Sequence, residues 1–444
     1  VDLSPIFKAY DVRGIAGEEL DEEAARRIGA AFADFAGAAR IAVGRDCRLS
    51  SPGLTAALVA GVTSQGVDVM DLGLITTDML YYVSGSADVP GVVVTASHNP
   101  PDYNGLKFCL QQAAPVGADT GLEDIRLAAE AGLAPSTRVG SVTPFDATDG
   151  YVDHVLSIVD AGAIGPLRVA ADGGNGMAGV AVPQVFARLE ATLDGLYLDP
   201  DGTFPNHPAD PLRPENLADL LDLVVRTAPD LGVAFDGDAD RAFFIDESGK
   251  PLPGSTTTAI VAEWFLERNP GAAVVHNLIC SQAVHETITR AGGLPIRTRV
   301  GHSFIKQVMK DTDAVFGGEH SGHYYFRDHW RADSGILAML VLLRVMSDRG
   351  VALSELRRRY EPYSHSGEIN LRVADPVAAI EAVAGTFTEE DSDRLDGLTV
   401  RVTEDLWFNL RPSNTEPVIR LNVEGPNTDA VERLVARVRS VVES

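Results

Sequence analysis

Three aspartates stand at alternate positions in the run DGDADR: Asp236, Asp238 and Asp240. In an extended backbone alternate side chains point the same way, so this spacing brings three carboxylates together. They repel one another unless a hard cation sits among them. Mg2+, which takes a few protein oxygens together with a substrate phosphate, suits that arrangement. An EF-hand calcium loop is the rival reading, with Glu247 twelfth from Asp236. Arg241 stands sixth, where that loop needs glycine, and the flanks GVAF and AFFI read as strands rather than helices.

Ser97 ends a short apolar run in GVVVTASHNPP, where two prolines forbid regular structure. No G-x-S-x-G elbow surrounds it, and His98 is expected to project to the opposite side of an extended chain. A hydrolase triad is therefore not indicated. A serine here could carry a phosphoryl group if a cation offsets its charge; the plain alternative is a turn serine satisfying backbone donors. In RPSNTEP, residues 411–417, Arg411, Ser413, Asn414 and Thr415 gather phosphate donors, with Arg420 on the next strand. An ordinary hairpin loop is the alternative there. In GGEHSGH, residues 317–323, Glu319 and Ser321 are placed to meet sugar hydroxyls; His320 and His323 without a nearby thiol make a weak zinc site. Gly174-x-Gly176-x-x-Gly179, with Asp194 about twenty residues on, matches a dinucleotide fingerprint, but beside three loops that favour phosphate, metal and hydroxyls a tight strand-to-helix turn suffices to explain it.

The elements that must position these loops follow an α/β pattern that recurs weakly three times. Strands are expected at 41–43, 67–70 and 92–94, with a helix over 53–64. A second unit has strands at 167–170 and 232–235 with a helix near 182–191, and a third has strands at 273–275 and 314–316 with a helix over 282–290. In each unit the chemically loaded loop follows the closing strand, where open α/β sheets bind ligands. The last stretch differs: strands at 368–373, 398–402, 406–410 and 418–423, a helix near 377–386 and a terminal helix. The expected fold is α/β, with three similar mixed-sheet α/β domains plus a C-terminal α+β domain around a central cleft. The boundaries are 1–149, 150–252, 253–365 and 366–444.

At 444 residues the chain is too long for one core, and its 45% hydrophobic content is that of a globular protein. A net charge of −26 argues against nucleic acid or an anionic membrane as partner. Lysine is scarce, five beside thirty-two arginines, so Lys107 beside a candidate site is conspicuous. Cys47, Cys109 and Cys280 are few and scattered, which fits a reducing cytoplasm. No apolar run is long enough to span a bilayer, and the first residues do not begin a signal peptide.

Taken together, TASHNP, DGDADR, GEHSGH and RPSNTEP resemble the phosphoserine, metal, sugar and phosphate loops of the α-D-phosphohexomutases, in particular the bacterial phosphomannomutase/phosphoglucomutase group. YDVRG at 10–14, NGLKF at 104–108 and GHSFIK at 301–306 are similar to further active-site segments of that family. The resemblance implies reversible interconversion of hexose 6-phosphate and hexose 1-phosphate, of mannose, glucose or both. The route would be a phosphoserine at Ser97 and a hexose 1,6-bisphosphate, with Mg2+ on Ser97, Asp236, Asp238 and Asp240. It implies that Arg13, His98, Lys107 and Arg241 assist the transfer, with Arg13 implicated in proton transfer. It also implies that Glu319, Ser321, His302 and His323 hold the sugar, and that Arg411, Ser413, Asn414, Thr415 and Arg420 hold the non-reacting phosphate. The partner is a phosphosugar, and the chain is expected to be a monomer or homodimer. Around 277–282 some relatives carry a basic substrate contact where this chain has Ile279, Cys280, Ser281 and Gln282. The alternatives are a phosphoglucosamine mutase, a nucleotide-cofactor dehydrogenase using the 174–179 glycines, and a non-catalytic sugar-phosphate binder.

Overall fold

The computed structural model of the chain describes residues 1–413 and 418–443, with the backbone alone at 302. Two compact units emerge: Val1–Pro253 with Ser321–Ser354, and Gly254–His320 with Glu355–Ser444. The division passes through the expected third segment for a packing reason. Helix Gly335–Arg349 is apolar around most of its circumference and packs on strand Ala242–Asp246 and helix Thr148–Val159 of the first unit.

The first unit holds two sheets. In the larger, the strand order is Val12–Ile15, Tyr103–Leu110, Gly91–Val94, Arg40–Arg45, Asp68–Leu74, Val142–Pro144, with Ala114–Pro115 paired off to the side. Gly91–Val94 runs parallel to Arg40–Arg45 and antiparallel to Tyr103–Leu110. All four of its residues are buried, which is why it reads as an unbroken apolar run. The smaller sheet is ordered Ala242–Asp246, Leu231–Phe235, Arg168–Asp172, Thr192–Leu196, again with one antiparallel edge on parallel strands. A short antiparallel pair, Tyr324–Phe326 with Ala332–Asp333, completes the unit.

In the second unit, Leu294–Thr298, Ala273–Asn277 and Phe316–Gly318 run parallel beside helix Gly254–Arg268, which is buried as far as Leu266. Its C-terminal part is an antiparallel sheet ordered Ser364–Arg372, Val418–Gly425, Leu406–Pro412, Leu398–Thr403, Asp391–Asp393. Helices Pro376–Thr386 and Thr428–Val442 cover one face of it, with Val383, Leu434 and Val438 in the shared core. Among the described residues no helix is long and apolar enough to cross a membrane.

The expected helix near 182–191 lies earlier, at Ala178–Phe186, and the edge strands Thr192–Leu196 and Leu294–Thr298 were not expected. Both strands are partly exposed, and one contains Gly195, the other Pro295, so neither carries the apolar alternation that announces a strand. The expected strand at 314–316 begins later, at Phe316–Gly318.

One polar knot ties the first unit together. Asp78, in the first turn of helix Thr77–Ala87, has no exposed surface. Its carboxylate accepts from the Tyr151 hydroxyl at 2.6 Å, from Ser334 at 2.5 Å and from Thr76. Thr76 and Ser334 are also the N-caps of their helices, so one carboxylate fixes two helix starts and the Thr148–Val159 helix. Burial pushes the Asp78 carboxyl up to about 6, against the pull of the three hydroxyls. Because the folded value lies above the unfolded one of 3.8, the protonated native state is favoured and stability falls as pH rises through 6. The wild type should lose about 1.4 kcal/mol from this group between pH 5 and 7. Asp78→Asn should lack that component, which urea midpoints of both proteins across the range will check.

Candidate functional site

The loop after strand Gly91–Val94 and the loop after strand Leu231–Phe235 meet in the first unit. Ser97 is nearly buried, and its hydroxyl donates to Asp236 Oδ2 at 2.7 Å. Its φ of 51° lies in the left-handed region, a strained setting for a serine. That turn corrects one expectation: the chain is not extended here, and His98 Nδ1 lies 3.2 Å from Ser97 Oγ rather than on the opposite side. No triad results, because the carboxylate at hand engages the serine instead of the histidine.

The DGDADR segment is likewise a turn rather than an extended run, with Ala239 at φ 63°. Its carboxylates converge all the same: Asp236, Asp238 and Asp240 each present an oxygen within 4.8 Å of the others, and all three are buried. Lys107 Nζ bridges Asp238 at 2.7 Å and Asp240 at 2.6 Å. Arg241 lies 2.9 Å from Asp236, and its NH2 is 3.5 Å from Ser97 Oγ. Two cations thus face three carboxylates, leaving room for positive charge. Asp238 Oδ1 and Asp240 Oδ1 are buried with no hydrogen-bond partner among the described residues. Orphaned hard oxygens at that spacing fit a small divalent cation. A calcium loop does not fit, since the flanks form an antiparallel hairpin and Glu247 is engaged by Ser354.

The electrostatics follow from burial. It pushes the Asp236 carboxyl up against the pull of Arg241, and the carboxylates of Asp240 and Asp238 add to the rise. Burial acts the same way on Asp240, but Lys107 and His323 outweigh it and hold that carboxyl low. On Lys107, burial disfavours the ammonium, yet Asp238 and Asp240 more than compensate and hold its pKa high. Arg241, then burial and Arg13, push the His98 imidazole far below its ordinary value, so the ring is neutral.

Arg13 donates to Asn99 Oδ1 at 2.6 Å and pairs with Asp11 at 2.5 Å, beside the serine loop. His323 Nε2 lies 3.7 Å from Asp240 Oδ1, and Asp240, His323 and Asp333 form a second cluster able to hold a metal. Ser321 Oγ is 3.3 Å from His323 Nδ1. Ser97, His98, Arg13, Lys107, Asp236, Asp238, Asp240, Arg241, Ser321 and His323 therefore all belong to the first unit.

The other predicted residues lie in the second unit. Glu319 is buried and accepts from Asn277 Nδ2 at 3.1 Å, and His320 Nδ1 is 3.1 Å from Ser255 Oγ. Burial holds the His320 imidazole down, to about 4. His302 begins helix His302–Thr312. Arg411 and Arg420 are cross-strand partners that share one carboxylate, Glu368, at 2.5 and 3.4 Å. The Ser413 amide donates to Val418 O, while Asn414 and Thr415 lie outside the described residues. In the 277–282 segment Ile279 is buried, the Cys280 thiol donates to Asn277 Oδ1, and the Gln282 amide donates to Glu424.

Sequence reasoning missed four positions around these groups: Arg48, Thr77, Asp11 and Glu368. Arg48 is fully buried, pairs with Asp46, and donates to the carbonyls of Ser97, Asn99, Pro100 and Tyr103, thereby holding the serine loop in shape. A guanidinium in GRDCRLS, in a loop following a buried strand, was the available signal. Thr77 Oγ1 donates to Asp238 Oδ2 at 2.6 Å. Nothing in the local sequence distinguishes it from an ordinary first-turn threonine.

The glycine fingerprint is packing. A Cβ on Gly176 would lie 2.6 Å from Gly237 O, and one on Gly179 would lie 1.7 Å from Leu198 O. Asp194, the would-be ribose ligand, pairs with Arg168 on the neighbouring strand. Gly176 packs against the aspartate loop and Gly179 against Leu198, and no dinucleotide is needed to explain them.

Comparison with known proteins agrees with this geometry. The chain matches the phosphoglucomutase/phosphomannomutase α/β/α domain I over residues 4–132, domain II over 149–249, domain III over 253–363, and the C-terminal domain over 368–441. It is 41% identical to a phosphomannomutase of Salmonella montevideo across 98% of both chains, and 40% identical to phosphohexose mutases of Xanthomonas campestris pv. campestris across 95% of both. A crystal structure of a phosphoglucomutase/phosphomannomutase family protein from Burkholderia thailandensis superposes with a TM-score of 0.91 at 33% identity, covering 99% of this chain and 97% of that one. The chain belongs to the phosphoglucomutase/phosphomannomutase family. It is accordingly an isomerase that interconverts hexose phosphates, and the dehydrogenase and glucosamine readings are not favoured.

The contact between the two loops yields a test. A Cβ on Gly237 would fall 2.3 Å from Ser97 O, a backbone atom with little freedom to yield. Gly237→Ala should destabilise the protein by about 1–3 kcal/mol and lower mutase turnover. Gly162→Ala, where nothing lies within 4 Å, should leave both near wild type. Urea titration and a coupled hexose 1-phosphate assay read the two effects.

Proposed function

We propose that this chain interconverts the 6- and 1-phosphates of mannose and glucose through a phosphoryl group carried on Ser97 Oγ. The observation that supports this most is the buried serine hydroxyl seated 2.7 Å from Asp236, in a carboxylate cluster with two oxygens that lack a hydrogen bond among the described residues. The hydroxyl at C1 of a hexose 6-phosphate takes the phosphoryl group from Ser97, whose oxygen recovers a proton, and a hexose 1,6-bisphosphate forms. The bisphosphate turns over and returns its 6-phosphoryl group to Ser97, leaving hexose 1-phosphate.

Such transfers need positioning and charge neutralisation more than covalent assistance. Asp236, Asp238 and Asp240, with Ser97, would hold Mg2+. When bound, the ion would neutralise charge on the transferring group. Arg241 supplies a fixed positive charge beside the serine oxygen. Neutral His98 orients that oxygen through its ring nitrogen. Lys107 bridges Asp238 and Asp240 and holds the Asp240 carboxyl low. The Arg13–Asp11 pair is assigned to the sugar hydroxyl and its proton. By motif, Glu319, Ser321, His302 and His323 are assigned to the sugar, and Arg411, Ser413, Asn414, Thr415 and Arg420 to the non-reacting phosphate. Hexose 1,6-bisphosphate serves as both intermediate and activator. The working boundaries remain 1–149, 150–252, 253–365 and 366–444, in a cytoplasmic monomer or homodimer.

Ser97→Ala should lose turnover of both mannose 1-phosphate and glucose 1-phosphate by at least about a thousandfold, as expected when a nucleophile is removed. Its folding should be unchanged, and intact mass should show no added phosphate. Wild type should carry one phosphate and require Mg2+. Undiminished turnover in the variant would remove Ser97 from the chemistry.

A further inference from the structure

We propose that Thr77 is a positioning residue for the cation site, acting through Asp238; the inference rests on reading Asp236, Asp238 and Asp240 as a metal centre. Thr77 has no exposed surface. It holds Asp238 at two points, with Oγ1 donating to Oδ2 at 2.6 Å and its amide donating to the backbone carbonyl at 3.1 Å. Lys107 donates to the same Oδ2 at 2.7 Å. The two oxygens of Asp238 are thereby sorted: Oδ2 takes two protein donors, whereas the buried Oδ1 has none among the described residues. A free carboxylate rotor would share its donors between both oxygens. The threonine hydroxyl stops that rotation and leaves one oxygen for a ligand.

The hydroxyl can act this way because its own position is fixed by the next residue. The Asp78 carboxylate is gripped by Thr76, Tyr151 and Ser334, which come from three separate parts of the first unit. The start of helix Thr77–Ala87 is therefore tied to the Thr148–Val159 helix and to Ser334 at the residue next to Thr77. Partners one step removed from a metal, which orient its ligands, typically contribute 10–100-fold to affinity.

The test uses full-length protein freed of phosphate on Ser97, checked by intact mass, with Mn2+ as probe. Binding is read from the free Mn2+ electron paramagnetic resonance signal well below the unfolding temperature. Thr77→Val, which keeps the shape and loses the hydroxyl, should bind Mn2+ about 10-fold or more weakly. The Mg2+ concentration for half-maximal turnover should rise in parallel. Thr77→Ser should restore wild-type affinity. If the valine protein is not recovered folded, Thr77→Ala carries the same expectation. A valine variant with a lower melting temperature but wild-type Mn2+ affinity would make Thr77 merely structural and overturn the proposal. Wild type that binds no Mn2+ would remove the metal reading itself, and this inference with it.

Discussion

Mutual repulsion among three buried carboxylates is the constraint on which the first unit depends. Asp236, Asp238 and Asp240 are all shielded from solvent, and solvent is what normally dissipates such charge. The fold answers with groups drawn from distant parts of the chain: Lys107 from one sheet, Arg241 from the same loop, and hydroxyls from Ser97 and Thr77. Each compensates part of the charge, and none donates a hydrogen bond to the buried Oδ1 atoms of Asp238 and Asp240. The site is preorganised toward a positive charge rather than neutralised in advance, which suits chemistry in which a phosphoryl group changes hands.

Backbone proximity supports this arrangement. Gly237 meets Ser97 O closely, and Gly176 meets Gly237, so three loops stack main chain on main chain with no side chain between. Arg48 then gathers the carbonyls of the serine loop around one guanidinium. A loop that would otherwise present its oxygens to solvent is held in the left-handed turn that Ser97 needs. The strain at Ser97 is thus supported by a buried ion pair, and function and packing share the same residues.

Much of this was legible in the sequence. The strands Gly91–Val94 and Leu231–Phe235, the loops that follow them and the convergence of the aspartates could all be read from apolar runs and spacing. The helix Gln282–Arg290 falls at its expected limits. Backbone conformations that break the extended pattern could not be read. Positive φ at Ser97 and Ala239 placed His98 on the serine and turned the aspartate run into a loop, and neither residue type announces such a turn. Partners distant in sequence were equally hidden. Thr77 and Asp238 are 161 residues apart, and Tyr151 and Ser334 reach Asp78 from 73 and 256 residues further along the chain. The glycine fingerprint was ambiguous for a related reason, since close packing and phosphate binding both select residues without a side chain, and the packing reading holds.

Glu368 on the C-terminal sheet has a consequence for how Arg411 and Arg420 meet an anion. Its carboxylate spans both guanidiniums, one of them buried, so neither arginine stands as bare positive charge. An anion drawn to these arginines would compete with this tethered carboxylate and would gain the difference between the two pairings. Such a competition would temper affinity, with Glu368 held on its strand ready to pair the arginines again.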